Sequence, residues 1–199
     1  MDGMSMDGMD KFGIGQPVRR KEDKRLLTGG GTYTDDINLP GQAHAAILRS
    51  PHAHARIVSI DTAAAAAMPG IVAILTGREV LEDELGLLPV QVDVPGAGGS
   101  KMFAPPRQIL QTEFVRFVGD PVALIIAESR HTAIEAMEAI DVKYELLPSV
   151  TDTARALDAD AAVIWPENGT NLCVHWDSGR AAEADAGIAA AETVVSIDL

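Results

Sequence analysis

Residues 119–148 have the sequence GDPVALIIAESRHTAIEAMEAIDVKYELLP. Its apolar run at 122–127 is unbroken, which is typical of a central strand that is buried on both faces. Ser129 is a favourable N-cap for a helix over 130–140, whose apolar residues recur on one face. The alternation at 142–146 predicts a further strand. A strand, a helix and a strand in this order indicate a mixed α/β domain.

The same signals occur upstream of this stretch. Apolar runs and period-two alternation predict strands at 44–49, 55–60, 71–75 and 109–117. Short helices are expected at 63–68, after Asp61 or Thr62 as N-cap, and at 78–81, after Thr76. The predicted fold class is therefore α/β, in the α+β sense of a mixed sheet with helices.

The remaining segments carry turn and loop signals. Residues 14–27 predict an extended arm with a short turn, and the glycines at 29–31 predict a flexible turn. Residues 82–106 are rich in Gly and Pro and predict a long loop, which in compact domains often lies at an interface. Residues 192–199 resemble half of a strand with no partner, so we expect a chain cut from a longer protein.

Composition excludes several classes of protein. The chain has 199 residues, a hydrophobic fraction of 47% and a net charge of −13, so it should fold around a core and should not bind nucleic acid. The single cysteine, Cys173, favours a reducing compartment, and no apolar run is long enough to span a bilayer. We expect a cytoplasmic protein. The basic stretch at 19–25 is interrupted by acids and is either a solvated face or a docking patch for an acidic partner.

Three histidines form the clearest candidate site. His52 and His54 share a face if their segment is extended, and His44 could join them across a hairpin. Such a set could bind zinc or copper, although no carboxylate or thiolate completes it. Alternatively, these side chains hydrogen-bond backbone groups around the Pro51 turn or contact a partner subunit.

Other motifs have simpler interpretations. The glycines at 29–31 lack the strand, helix and Lys of a phosphate-binding loop, so they predict a turn. Cys173 and His175 have no orienting carboxylate, which favours a semi-buried thiol over a nucleophile. Arg49 is suited to a bidentate carboxylate contact, and Asp35 and Asp36 lie in turn surroundings.

Several blocks of the sequence resemble one known family. In chain order they occupy residues 28–37, 39–41, 48–57, 68–76, 115–123 and 142–148. The most specific is 48–57, LRSPHAHARI. Together they are similar to the amino-terminal α/β hammerhead domain of the xanthine dehydrogenase and aldehyde oxidase family, in particular to large subunits of the carbon monoxide dehydrogenase type. One departure is Gly30, where the family often has Arg.

This resemblance implies a fold, an activity and partners. The Met, Gly and Asp residues that begin the chain predict a disordered tail at 1–13. The resemblance implies a hammerhead domain at 14–160, and at 161–199 a linker with the truncated start of the domain that binds the molybdenum–molybdopterin cofactor. The parent enzyme would oxidise carbon monoxide, an aldehyde or an N-heterocycle. It would be a heterotrimer with an iron–sulfur subunit carrying 2Fe-2S clusters and an FAD subunit, assembled as a dimer of heterotrimers.

The resemblance assigns no site residue to this chain. The family's cofactor-contacting Gln, substrate-loop Arg and base Glu match positions beyond residue 199, so we expect no catalytic, cofactor-binding or metal-binding residue here and no activity from these residues alone. The alternative is a standalone, non-catalytic module that binds another protein.

Overall fold

A computed structural model of the chain describes residues 20–197. They fall into two compact units that divide between Gln42 and Ala43. The tail predicted at 1–13 and the first part of the arm predicted at 14–27 lie outside the described residues. No described helix is long and apolar enough to cross a membrane.

The first unit contains a short helix and a turn. Helix α1 spans Asp23–Leu27, so the extended arm predicted for this part is wrong. Its Asp23 in the first turn and its basic residues in the last turn suit the helix dipole. The predicted glycine turn is confirmed, because Gly29 ends the helix at φ +72° and Gly30 N–H donates to Arg25 O over 2.8 Å. A 3-10 helix follows at Thr34–Asp36.

The second unit contains six strands and four helices among the described residues. The strands are β1 (His44–Arg49), β2 (Ala55–Asp61), β3 (Ile71–Thr76), β4 (Phe114–Val115), β5 (Pro121–Ala127) and β6 (Asp141–Leu146). The helices are α2 (Ala63–Ala66), α3 (Gly77–Glu82), α4 (Arg130–Glu138) and α5 (Ala181–Ala189). This order confirms the predicted mixed α/β class.

The strands form two three-stranded sheets with antiparallel pairing. The first has the order β1-β5-β3 and the second β4-β2-β6. Strand β5 is central in its sheet, as its apolar run predicts. Within the first sheet, Ile125 and its β5 neighbours Ala123 and Ala127 are fully buried and form a core with Ala133 and Ala136 of α4.

Two predicted elements are shorter in the structure. The strand expected at 109–117 is reduced to the two residues of β4. Before β4, the backbone N–H of Gln111 donates to Pro121 O and the Gln111 side chain bonds to Asp120, so this part of the chain does not pair with β2. Helix α4 begins after the predicted cap Ser129, whose Oγ accepts from Thr132 N–H over 3.0 Å, and it ends at Glu138.

The segment after β6 differs most from expectation. It contains a 3-10 helix at Pro166–Asn168 and helix α5, which the sequence analysis did not predict. No strand is present at 192–197. Every residue of α5 is exposed, so this helix has no packing partner in the part of the chain that the structure describes.

Helix α3 begins with a reciprocal cap that depends on pH. Thr76 N–H and Thr76 Oγ donate to Glu79 Oε2 over 2.7 and 2.6 Å. Burial raises the pKa of Glu79, but the hydrogen bonds from Thr76 and Arg78 outweigh it and lower the pKa to about 2 from 4.5. A carboxylate with a lowered folded-state pKa stabilises the fold above its unfolded pKa, and this contribution is lost as the pH falls.

We therefore expect Glu79→Gln to lower the free energy of unfolding by about 1 kcal/mol at pH 7. The difference from the unsubstituted chain should shrink as the pH falls from 4.5 towards 2, where Glu79 becomes protonated in the folded state. Urea unfolding followed by circular dichroism at several pH values measures it. A difference that stays constant over this range would contradict the assigned cap.

A strained residue follows the C-terminal cap of helix α3. Glu84 has φ +53°, and among the described residues it is the one non-glycine in the left-handed region. Its N–H donates to Leu81 O over 3.2 Å, which is a helix-ending contact that glycine usually makes. We expect Glu84→Gly to raise the free energy of unfolding by about 0.5–1 kcal/mol, because glycine adopts this conformation without a Cβ clash. Glu84→Ala keeps the strain, so equal stabilisation by both variants would show that φ is not the cause.

Candidate functional site

The three candidate histidines do not converge. His44 lies in β1 opposite Ala127. The His52 ring meets the edge of Tyr144 with centroids 4.9 Å apart, and His54 Nδ1 lies 2.7 Å from Pro148 O. Within residues 20–197 no three His, Cys, Asp or Glu side chains are grouped as a metal site. The partner of His54 is a backbone carbonyl as expected, but it follows β6 instead of lying at the Pro51 turn.

The turn between β1 and β2 is fixed by a buried serine. Ser50 is 2% exposed, and its Oγ accepts from His52 N–H over 3.0 Å. Ser50 N–H donates to Asp120 O, and Gly119 N–H donates to Ser50 O, both over 2.8 Å. The two family-like blocks at 48–57 and 115–123 are thus held together by backbone hydrogen bonds.

Arg49 joins the same turn, but without a carboxylate. Its Nη1 donates to Gly119 O over 2.8 Å, and no ion pair of the described residues includes it. The expected Arg49–acidic contact is therefore wrong for this part of the chain. A guanidinium can bond a carbonyl as well as a carboxylate, so residue type alone did not fix the partner.

Asp120 is the buried acid of this region. It is 2% exposed, and its carboxylate accepts from Gln111 Nε2 over 2.9 Å and from Arg116 N–H over 2.8 Å. Burial raises the pKa of Asp120 more than these hydrogen bonds lower it. No role was predicted for Asp120 from the sequence. The missed signal was an acidic residue between two apolar segments.

Arg116 connects the sheets to the segment after β6. Its guanidinium carbon lies 3.8 Å from the centre of the Trp165 ring and 5.2 Å from that of Phe114. Its Nε makes a long hydrogen bond of 3.4 Å to Ile164 O. Partial burial lowers the pKa of Arg116. The carboxylates of Glu167, Asp120 and Glu113 act in the opposite direction and offset part of this shift. This stack is not apparent from the sequence, because Arg116 and Trp165 are 49 positions apart.

A cavity of about 300 Å³ lies beside Trp165. Its walls include Phe103, Ile164 and Asn171. The Asn171 amide is fully engaged, because its oxygen accepts from Ile164 N–H and its nitrogen donates to Ala156 O and Ala162 O. The cavity therefore has an apolar wall around Trp165, with polar residues at Thr151–Thr153, Asn168 and Thr170.

Cys173 also lines this cavity and is exposed, not semi-buried as expected. Its thiol donates to Phe103 O over 2.9 Å. His175 Nε2 lies 3.6 Å from Asp177 Oδ1. The described contacts thus do not join Cys173 to His175 as a nucleophile and its base.

Two apolar surfaces remain partly exposed on the second unit. Residues 81–92, here called the apolar arm, expose large side chains: Leu81 by 64%, Leu85 by 59%, Leu87 by 55%, Leu88 by 42%, Val90 by 46% and Val92 by 61%. The first sheet has an apolar outer face, opposite the side chains that pack on α4. Register places two rows there, Ala45-Ile126-Ala73 and Ile47-Leu124-Leu75.

Comparison with known proteins gives a consistent family match. Residues 28–148 match the family model described as the a/b hammerhead domain of aldehyde oxidase and xanthine dehydrogenase. The nicotine 6-hydroxylase large subunit of Paenarthrobacter nicotinovorans is 38% identical over 92% of this chain and 21% of its own length. The carbon monoxide dehydrogenase large chain of Afipia carboxidovorans is 34% identical over 94% of this chain and 23% of its own length.

Solved structures agree with these relatives. A crystal structure of Cu,Mo-CO dehydrogenase in its carbon monoxide reduced state aligns with a TM-score of 0.67 and 33% identity. The alignment covers 91% of this chain and 23% of that one. The chain therefore spans about a fifth of the length of the relatives that it matches, and those relatives are oxidoreductases of the molybdenum hydroxylase family.

Proposed function

Because the chain belongs to the aldehyde oxidase and xanthine dehydrogenase family, we propose that it is the scaffold portion of the large subunit of a molybdenum-dependent hydroxylase. The observation that carries this proposal is the hammerhead match over 28–148, on a chain that spans a fifth of its relatives. The alternative of a standalone interaction module is not favoured by these relatives.

The whole enzyme would oxidise a small substrate such as carbon monoxide, an aldehyde or an N-heterocycle. The molybdenum–molybdopterin cofactor supplies this chemistry when it is bound, and electrons leave through the 2Fe-2S clusters and FAD of partner subunits. We propose a heterotrimer that assembles as a dimer in the cytoplasm. The relatives, which include carbon monoxide and nicotine enzymes, support the reaction class and leave the substrate open.

The described residues do not offer a donor set that fits the molybdenum cofactor. Of the polar side chains that line the cavity, Asn171 is engaged with backbone groups, and Asp152 is the one carboxylate. No group of three potential metal ligands exists in residues 20–197. We therefore propose no catalytic, cofactor-binding or metal-binding role for any residue of this chain.

The domain division follows from this proposal. Residues 1–13 would be a tail, 14–160 the hammerhead domain, and 161–199 a linker with the first part of the cofactor-binding domain. Exposed apolar side chains support a packing role, because the apolar arm and the outer face of the first sheet would be buried against the remainder of a large subunit.

A tagged chromosomal copy of the gene tests the proposed function. We expect purification from the native host to yield a large subunit about five times as long as the present chain, as in the relatives, together with two smaller subunits. The complex should contain molybdenum, iron and FAD. A 21.0 kDa protein that purifies without partners or molybdenum would refute the proposal.

The isolated chain should associate through its exposed apolar side chains. We expect size-exclusion chromatography of the purified 199-residue chain to give aggregates or oligomers. A variant with Leu87, Val90 and Val92 changed to Ser should elute closer to a monomer. Serine substitutions at Lys101, Arg107 and Lys143, which are exposed and not apolar, form the matched control. A monodisperse monomer of the unchanged chain would contradict this expectation.

A further inference from the structure

We propose that residues 148–176, here called the strap, form a separately opening segment that Arg116 holds closed against the sheets. The strap has one turn of 3-10 helix, at Pro166–Asn168, and otherwise no helix or strand. None of its residues is fully buried, whereas β5 contains four that are. Segments with few buried contacts open locally at a lower free energy than the core does.

The strap is tied internally, so it can move as one piece. The Asn171 side chain bonds three backbone groups within it, Ile164 N–H over 2.9 Å, Ala156 O over 3.0 Å and Ala162 O over 2.8 Å. One amide thus closes a loop between two residues 15 positions apart without using any contact to the sheets. Loss of an outside contact would leave this loop intact.

Few contacts outside the strap hold it. At its start, His54 bonds to Pro148 O. At its end, Phe103 N–H donates to Cys173 O over 2.8 Å, the Cys173 thiol donates to Phe103 O over 2.9 Å, and Ala97 N–H donates to His175 O over 2.7 Å. In its middle, the Trp165 ring meets the Phe103 ring with centroids 6.3 Å apart. Phe103 and Ala97 lie in the long loop and not in a sheet. Among the hydrogen bonds and ring contacts of the described residues, Arg116 alone joins the middle of the strap to a residue next to a strand.

The base of this latch is rigid. Arg116 follows β4 directly, and its backbone N–H is fixed on the buried carboxylate of Asp120. The guanidinium lies between the rings of Phe114 and Trp165, where a planar cation is favoured over a Lys ammonium. When the latch is closed, Ile164 and Trp165 of the strap line the cavity together with Phe103. Opening would expose these apolar side chains.

Hydrogen exchange on the 199-residue chain tests the latch. We expect Arg116→Ala to speed exchange of the strap amides at 161–173 by about two- to thirtyfold, the range for loss of one cation–π contact. Arg116→Lys should have a smaller effect, since it keeps the charge and loses the planar stack. Exchange of the β5 amides should stay unchanged, because the core remains folded.

Two further variants make the test specific. Arg155→Ala removes an arginine of the strap whose partner is the nearby Asp158, and it should leave exchange at 161–173 unchanged. Trp165→Leu should speed exchange at least as much as Arg116→Ala, because it also loses the Phe103 contact, and the double variant should exchange no faster than Trp165→Leu alone. Unchanged strap exchange in Arg116→Ala would overturn the proposal. Equal acceleration in β5 would also overturn it, because the strap would then not open separately.

Discussion

Replacing Asp120 by Ala should lower the free energy of unfolding by roughly 2–6 kcal/mol, because two donors lose their acceptor at a cost of about 1–3 kcal/mol each. The donors are Gln111 Nε2 and Arg116 N–H. Gln111 is 9% exposed and Asp120 2%, so water cannot readily replace the carboxylate. Urea unfolding followed by circular dichroism measures the loss. A loss below about 1 kcal/mol would show that the network is not an important source of stability.

Asp120→Asn is the matched control for this prediction. The Asn carbonyl can accept from Arg116 N–H while its NH₂ group faces Gln111, whose amide can turn over to present its oxygen. Arg116 N–H then keeps its acceptor, and the pair between residues 111 and 120 keeps a hydrogen bond in the reverse direction, so we expect a loss of only about 1 kcal/mol. If Asn were as damaging as Ala, the negative charge and not hydrogen-bond satisfaction would be what the fold requires at this position.

Ile125→Ala should be similarly damaging, with an expected loss of about 2–5 kcal/mol. Ile125 is fully buried at the centre of the first sheet, and its buried neighbours in the core include Ala123, Ala127, Ala133 and Ala136. Small neighbours cannot extend into the space that the deleted atoms leave, so the cavity should persist. Thermal and urea unfolding of the variant measure the effect.

Two substitutions bracket this result. Ile125→Val removes one methylene group and should cost about 0.5–1.5 kcal/mol. Ile47→Ala removes the same atoms as Ile125→Ala from the outer face of the same sheet, where Ile47 is 41% exposed, and should cost less than about 1.5 kcal/mol. Equal losses at positions 47 and 125 would mean that the outer face is as well packed as the core.

The sheets could be predicted because their signals are local. The bounds of β1 match the sequence expectation, and β5 differs by one residue at its start. An apolar run of this length is specific for a buried strand, and Ser129 marks the start of α4 by the chemistry of its own side chain. The family resemblance rests on the same local blocks, and the match at 28–148 covers them.

The polar connections could not be predicted, because they depend on residues that are far apart in sequence. Asp120 and Ser50 meet through a backbone contact, and Arg116 meets Trp165 only after the segment beyond β6 has folded back. Arg49 illustrates the ambiguity of charged residues, since a carbonyl took the place of the expected carboxylate. Residue type restricts such partners to a class, and tertiary structure selects one.

The segment beyond β6 shows a second limit. Helix α5 has the sequence AAEADAGIA. Its alanines favour a helix strongly, but its apolar and polar residues show no clear amphipathic pattern. Residues 192–197 include four β-branched residues, Thr193, Val194, Val195 and Ile197, and yet they form no strand. A strand needs a partner for its backbone groups, and composition does not show whether one is present.

Metal and pterin analysis of the purified 199-residue chain, produced in a host supplied with molybdenum, tests the central proposal most directly. If these residues are a scaffold that leaves the cofactor to other parts of a large subunit, mass spectrometry should find far less than one molybdenum per chain. The preparation should then also lack pterin fluorescence and substrate oxidation. About one molybdenum and one pterin per chain, together with substrate turnover, would contradict the account.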